Sequence, residues 1–279
     1  MRIAVIGGGA AGFMAAITAQ SSDSNSEVIL FEKSNKVLSK VKISGGGRCN
    51  VTNACFSISE LAKNYTRGGG FLKKAFNHFY TQDTVEWFEQ MGVELKIEND
   101  KRMFPTYNNS QTIIDCLKSE CDKHKVSIKY QKPVKNIKPL ENGFLINNDI
   151  NVDKLIIASG GSPKIEGLQW LLDIGLEVEK PVPSLFTFNM PIEDIKDLMG
   201  VVAPNVSVHI QGDKLKHTGP LLITHWGMSG PAILKCSAWG ARILADKNYK
   251  FNVQINWSNL NELDYKEIIK ENKKSQRII

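Results

Sequence analysis

Apolar residues near the start of the chain fall into two short runs, in Ile3 to Ile6 and in Glu27 to Phe31. A helix-like stretch, Phe13 to Gln20, separates them. Continuous apolar runs this short predict strands buried on both faces, as in a parallel sheet. From Gly68 to Lys125 the period changes: Phe71, Ala75 and Phe79, then Trp87, Phe88 and Met91, recur at three- and four-residue spacing. That spacing predicts helices with one apolar face packed on the sheet. Gly92 reads as a helix stop, Val93 to Ile97 as a short strand, and Ser110 as the N-cap of a helix running to His124. Further strands are expected at Ser127 to Tyr130, at Gly143 to Ile146 and in the apolar run after Lys154. From Pro181 the pattern becomes period two, in Leu185 to Met190, Asn205 to Ile210 and Lys250 to Trp257, with prolines between. It predicts a small antiparallel barrel or sheet. Pro231 to Ala245 reads as a short helix, and Asn261 to Ile279 as the start of a charged amphipathic one. The expected organisation is an α/β domain over 1–180, a β-rich insert over 181–258 and the start of a helical module over 259–279.

The first predicted strand ends in Gly7, Gly9 and Gly12, a G-x-G-x-x-G spacing, with Ala10 and Ala11 opening the helix that follows. In such a turn the first glycine permits the bend, the second lets a pyrophosphate approach, and the third lets helix and strand pack closely. The helix start offers unpaired N–H groups and a positive dipole end to phosphates. The second strand ends at Glu32, where a carboxylate accepts hydrogen bonds from an adenosine ribose and repels the 2′-phosphate of NADP. Together these predict dinucleotide binding; a glycine-rich turn in an ordinary α/β protein is the bland alternative.

Which dinucleotide is bound turns on Lys33 to Asn53. A polar loop containing Lys40, Ser44, Gly45, Gly46, Gly47, Arg48, Cys49 and Asn50 interrupts the unit where a simple NAD-binding fold would run quickly on. The glycines expose backbone N–H groups, and Arg48 and Lys40 supply cations beside a doubly charged pyrophosphate. Asn50 and Asn53 suit a flavin's pyrimidine edge or ribityl chain. FAD is favoured over a nicotinamide, against the alternative of a flexible solvated loop. Downstream, an apolar strand ends in Ser159, Gly160 and Gly161, small residues that let backbone pass close to a dinucleotide.

Three blocks carry a family resemblance: Val-Ile-Gly-Gly-Gly-Ala-Ala-Gly at the N-terminus, Ile-Ser-Gly-Gly-Gly-Arg-Cys-Asn-Val-Thr-Asn ending at Asn53, and Thr224 to Pro231. The chain resembles the bacterial BaiN/RdsA-type (YhiN-like) NAD(P)/FAD-dependent oxidoreductases, also grouped as aminoacetone-oxidase-family FAD-binding proteins. The resemblance implies a Rossmann-like, glutathione-reductase-type FAD domain interrupted by a small barrel and a helical module. It likens Ser159 to the threonine of an Ala-Thr-Gly-Gly signature and puts Val134 beside the adenine. Domains of that type close with a late strand and helix near the flavin, which nothing after Trp257 supplies. The expectation is therefore a C-terminally shortened chain that holds FAD weakly. No second G-x-G-x-x-G occurs downstream, so NAD(P)H is expected only as a transient co-substrate.

Composition narrows the function classes. The 279 residues carry a net charge of +6 and are 42% hydrophobic, suited to one large or two medium cores. No apolar run is long enough to predict a membrane span, and the N-terminus enters a strand directly, so a cytoplasmic protein is expected. Cys49, Cys55, Cys116, Cys121 and Cys236 form no C-x-x-C pair, which argues against a disulfide framework and gives Cys49 a packing role. His78, His124, His209, His217 and His225 show no ligand spacing, so no metal is expected. Lys266, Lys270, Lys273, Lys274 and Arg277 read as a solvated helix face before a nucleic-acid patch. His225 and Trp226 are the catalytic candidates, with a turn-stabilising role as the alternative; Arg102, Tyr107 and His78 read first as surface or packing residues. The leading expectation is an FAD-dependent oxidoreductase passing a hydride between flavin and a small organic substrate. The alternative is an FAD-linked protein that modifies or binds tRNA or another nucleic acid. Oligomeric state is open.

Overall fold

In the computed structural model, which describes residues 1–275, the apolar runs become the centre of a four-stranded parallel sheet. Its order is Lys154–Ile157, Arg2–Ile6, Glu27–Phe31 and Ser127–Lys129. Side chains on a strand alternate between faces, and both faces here are covered. Ile3, Val5, Val28 and Leu30 meet Phe13, Ala16 and Ile17 of the Ala10–Ser22 helix and Ile113, Leu117 and Cys121 of the Ser110–Lys123 helix. Ala4, Ile29 and Phe31 point the other way, onto Ile146 and Val152. Those two residues belong to an antiparallel meander of Ile137–Leu140, Gly143–Ile146 and Ile150–Val152. Its outer strands carry no strong alternation and were not expected from the sequence.

The start of the first helix lies very close to the strand it follows. A Cβ on Gly12 would run into the carbonyl oxygen of Gly7, and one on Gly7 into that of Ala158. Backbone bonds tie the same strand ends together: Gly7 N–H donates to Phe31 O at 2.9 Å, and Ala158 N–H to Ile6 O at 2.8 Å. A third sheet, of Thr52–Asn53, Arg102–Pro105 and Leu95–Ile97, supports the loop after the second strand. The Gly69–Phe76 helix departs from expectation, because it buries none of its residues and Phe71 is 77% exposed. Its three- and four-residue spacing describes an outer face, not a sheet contact.

The chain divides into two compact units, 1–180 and 181–279. The second is built on a five-stranded antiparallel sheet in the order Phe188–Asn189, Gly227–Ser229, Lys216–Thr224, Val202–Ile210 and Val253–Asn256. Val206, Val208 and Ile210 alternate inward against Leu221, Ile223, Met228 and the Pro231–Trp239 helix, which places Ile233 and Cys236 in the core. The predicted helix from Pro231 to Ala245 is two helices divided at Gly240. The Lys216–Thr224 strand was not foreseen, because Gly219 and Pro220 break its pattern. The last helix is Glu262–Ser275; of the expected helical segment, residues 276–279 lie outside the described residues, as does Arg277 of the basic group.

Two measurements check this packing. Gly12→Ala should destabilise the first unit by about 1–3 kcal/mol, the cost of overpacking a tight contact, read as a lower melting temperature; an unchanged melt would contradict the close approach. Cys121 is fully buried, and desolvation with the nearby Asp122 and Glu120 carboxylates pushes its thiol up to about 12. A raised folded-state value contributes stability that is complete below the unfolded thiol's pKa and lost as pH rises toward 12. The stability gap between the parent and Cys121→Ala should therefore narrow from pH 8 to pH 11, by on the order of 1 kcal/mol per unit above pH 9. A constant gap would show that burial does not hold this thiol neutral.

Candidate functional site

At the carboxyl ends of the parallel strands the first unit opens into a cavity of about 710 Å³. Its position follows from topology. The chain leaves the Arg2–Ile6 strand toward Glu27–Phe31 on one side and returns to Lys154–Ile157 on the other. Between strands that diverge in this way the crossing connections leave a crevice, the usual ligand position in open α/β sheets. Gly7, Gly8, Gly9, Ala10 and Ala11 form one wall; Ala158, Ser159, Gly160 and Gly161 line it from the neighbouring strand end.

The glycine wall is shaped for an anion. The Ala10–Ser22 helix has Gly9 at its N-cap with no side-chain cap and no acidic residue in its first turn. Its leading N–H groups thus lack the side-chain acceptor that most helix starts carry. A Cβ placed on Gly9 would meet nothing within 4 Å, so the backbone there faces open space. Lys40 supplies a cation nearby: its Nζ lies 3.8 Å from where a Cβ of Gly160 would stand.

Glu32 ends the second strand with its carboxylate held from both sides. Gly8 N–H donates to Oε2 at 2.9 Å and Ser34 N–H to Oε1 at 2.8 Å. An ionised carboxylate offers about four lone-pair positions, so capacity for hydroxyl donors is left on the side that lines the cavity. A Cβ on Gly8 would press on that carboxylate. Gly8, the middle glycine of the triplet, is therefore constrained as well, although the fingerprint leaves its position free.

The structure brings most of the expected cofactor residues to this one cavity: Gly7, Gly9, Ala10, Ala11, Glu32, Lys33, Lys40, Ser44, Cys49, Asn50, Ser159, Gly160 and Gly161. Gly12 stands behind the wall, in the helix–strand contact. Gly45, Gly46, Gly47 and Arg48 do not line it. The three glycines make a tight turn in left-handed backbone, with φ of 56°, 69° and 86°, and that turn directs Arg48 away from the cavity. Its guanidinium lies 4.0 Å from the Phe104 ring centroid and pairs with Glu98 at 2.5 Å. Arg48 is a loop clamp in place of the expected pyrophosphate cation. Val134 packs with Phe144, Ile150 and Leu155 against the meander-side core and is not part of the lining. Cys49 is buried, and burial raises its thiol above the ordinary range, as suits a packing residue. Among the residues not foreseen, Lys36 extends the cationic rim, and Phe79, Thr84 and Trp87 line the cavity from around the Thr81–Gln90 helix. Their apolar period was visible, but periodicity cannot tell a face that packs on a sheet from one that walls a cavity.

In the second unit, His225 and Trp226 form the exposed two-residue turn between Lys216–Thr224 and Gly227–Ser229. Their rings meet edge-on at 4.3 Å, and Trp226 O accepts from Met190 N–H at 2.8 Å. That geometry accounts for both as turn-forming residues.

A glycine turn at a helix start, an acidic second-strand end and a crevice between diverging strands define a dinucleotide-binding Rossmann domain. Residues 1–184 match the HI0933-like protein Rossmann domain, and residues 182–278 match the HI0933-like protein barrel and H2TH domain. The chain belongs to the HI0933-like family. It is 30% identical over 250 residues to the ribosomal RNA dihydrouridine synthase of Escherichia coli (strain K12), a match covering 84% of this chain and 60% of that protein. It is 27% identical over 247 residues to the 3-dehydro-bile acid delta(4,6)-reductase of Clostridium scindens, covering 85% of this chain and 59% of that protein. The chain thus spans about 60% of the length of the curated relatives it matches. Among solved structures, the 3-ketosteroid delta1-dehydrogenase of Sterolibacterium denitrificans aligns with 77% of this chain and 58% of its own, at 11% identity and a TM-score of 0.43. Among the described residues no helix is long and apolar enough to cross a membrane.

The clamp assignment of Arg48 separates cleanly from a ligand-binding one. Arg48→Leu and Glu98→Gln should each lower stability by about 1–3 kcal/mol, the range for losing a hydrogen bond to a charged group, with less than the sum lost in the double variant. Additive losses, or a melt unchanged in Arg48→Leu, would restore Arg48 to a ligand role.

Proposed function

We propose that the cavity of the first unit holds FAD and that the protein is a flavin-dependent oxidoreductase acting on a carbon–carbon double bond conjugated to a carbonyl. The observation that carries the cofactor reading is the pairing, in one cavity, of an uncapped helix start beside an open Gly9 with the Glu32 carboxylate. These groups fit the two polar parts of an adenosine diphosphate moiety. The N–H groups of the helix start and Lys40 take the pyrophosphate, and Glu32 takes the ribose hydroxyls. When bound, FAD supplies a ring nitrogen, N5, that gives or accepts a hydride. The protein's part is to orient that ring and exclude water from it. Ser44, Cys49, Asn50, Ser159, Gly160 and Gly161 are the residues available to follow the chain of the cofactor away from the pyrophosphate.

The substrate class rests on the relatives' names. Dihydrouridine is uridine with its ring double bond saturated, and a delta(4,6)-reductase removes double bonds from a 3-oxo steroid. Both are reductions of an alkene polarised by a carbonyl, which makes its β-carbon a hydride acceptor. NAD(P)H is proposed as the transient reductant. The Escherichia coli relative supports a second reading, in which the alkene belongs to a uracil within RNA.

Titration of the full chain with FAD should show saturable binding. Glu32→Gln should weaken it by about 1–3 kcal/mol, or roughly 5- to 150-fold, with ADP binding weakened in parallel. Unchanged affinity in the variant, or no binding by the parent, would sink the cofactor assignment. For substrate class, the photoreduced protein is mixed anaerobically with a 3-oxo-4-ene steroid or with a uridine-containing ribosomal RNA fragment. Reoxidation by one of them selects the reading, and reoxidation by neither overturns the conjugated-alkene proposal.

A further inference from the structure

The cavity has two chemically different linings, and the adenosine diphosphate moiety accounts for only one. Besides the glycines, Glu32, the lysines and a few serines and Asn50, its lining includes Met14, Phe79, Thr84, Trp87, Ile113 and Leu117. Met14 lies one helical turn beyond Ala10, so this lining continues directly from the phosphate wall along the same helix. Ile113 and Leu117 are buried in the core that also packs Met14 and Trp87, which makes the wall rigid and preformed. Apart from the Thr84 hydroxyl, which is already spent on Tyr80 O at 2.9 Å, and the Trp87 indole N–H, these side chains offer no strong hydrogen-bonding group. Such a lining suits a flat apolar surface and rejects a second phosphate or sugar.

Trp87 is the distinctive member. Phe88, buried at 6% exposure, braces it edge-on, with ring centroids 4.9 Å apart and planes at 88°. Trp87 itself stays partly exposed and lines the cavity. A braced indole lining a cavity loses little freedom when a ring packs against it, and an aromatic contact of that kind contributes about 0.5–1.5 kcal/mol beyond area burial.

We propose that the apolar lining around Trp87 is the subsite for the flavin's tricyclic ring, with Trp87 as a ring-positioning residue and Phe79 at its edge. This rests on the reading that the cavity holds FAD, and it assigns to the Thr81–Gln90 helix a role that the glycine fingerprint does not reach. The full chain is titrated with FAD and separately with ADP, which lacks the ring, using calorimetry for affinity and tryptophan emission as a second signal. FAD should quench part of the emission of the parent, ADP should quench none, and the FAD quench should shrink in Trp87→Phe.

Trp87→Leu should lower FAD affinity about tenfold and leave ADP affinity unchanged; the retained ADP binding reports that the unit is still folded. Phe79→Leu, at a half-exposed site where folding is not at risk, should lower FAD affinity in the same selective way by a smaller factor. FAD affinity and quench unaltered in these variants would overturn the subsite, as would equal losses for FAD and ADP. Parent protein that binds ADP but not FAD would overturn the subsite while leaving the phosphate wall standing. Failure to bind either would overturn the cofactor reading together with it.

Discussion

Everything at this site depends on how closely the first helix approaches the first strand. The position a Cβ would take on Gly12 is filled by the carbonyl oxygen of Gly7, so strand, turn and helix are locked at one distance. That lock aims the helix axis at the crevice and leaves its first N–H groups facing open space at Gly9. A side chain at any of three glycines would break the arrangement in a different way: by lifting the helix, by displacing Glu32, or by filling the cavity. The chemistry is thus a consequence of packing, because backbone dipoles can serve as an anion site only where the fold holds them fixed.

Around that fixed point the unit separates electrostatic from apolar work. Glu32 is positioned by two backbone donors, so little ordering of it is required on binding. The lysines at the rim set a positive field over the phosphate wall. Behind them the cavity turns apolar, lined by helices whose other sides form the main core. Arg48, the most conspicuous cation in the loop, is withdrawn from this field by Phe104 and Glu98. Its role is to hold the glycine turn that delivers Cys49 and Asn50 to the lining.

Much of this was legible in the residues, and what was not has identifiable causes. Gly7, Gly9, Gly12 and Glu32 could be placed because each is required by a local geometry that recurs at a fixed spacing. Arg48 departs from the sequence expectation because three successive left-handed glycines precede it, a turn that spacing alone does not describe. The family resemblance puts Val134 beside the adenine, whereas the structure packs it against the meander-side core. The period alone assigns Trp87 and Phe79 to the sheet, because a 3.6-residue repeat reports an apolar face without naming what that face meets. In the second unit, alternation disclosed three strands but missed Lys216–Thr224, where Gly219 and Pro220 interrupt it.

On the proposed reading, a dinucleotide lies with its pyrophosphate on the helix start and its ring against the Trp87 wall. The most direct measurement is a crystal structure of the 279-residue chain grown with FAD. Pyrophosphate density is expected within hydrogen-bonding distance of the Gly9, Ala10 or Ala11 amides, with ribose hydroxyls at Glu32 and a planar ring among Met14, Trp87 and Leu117. Pyrophosphate density on Arg48 outside the cavity, or a cavity left empty at saturating FAD, would contradict that reading.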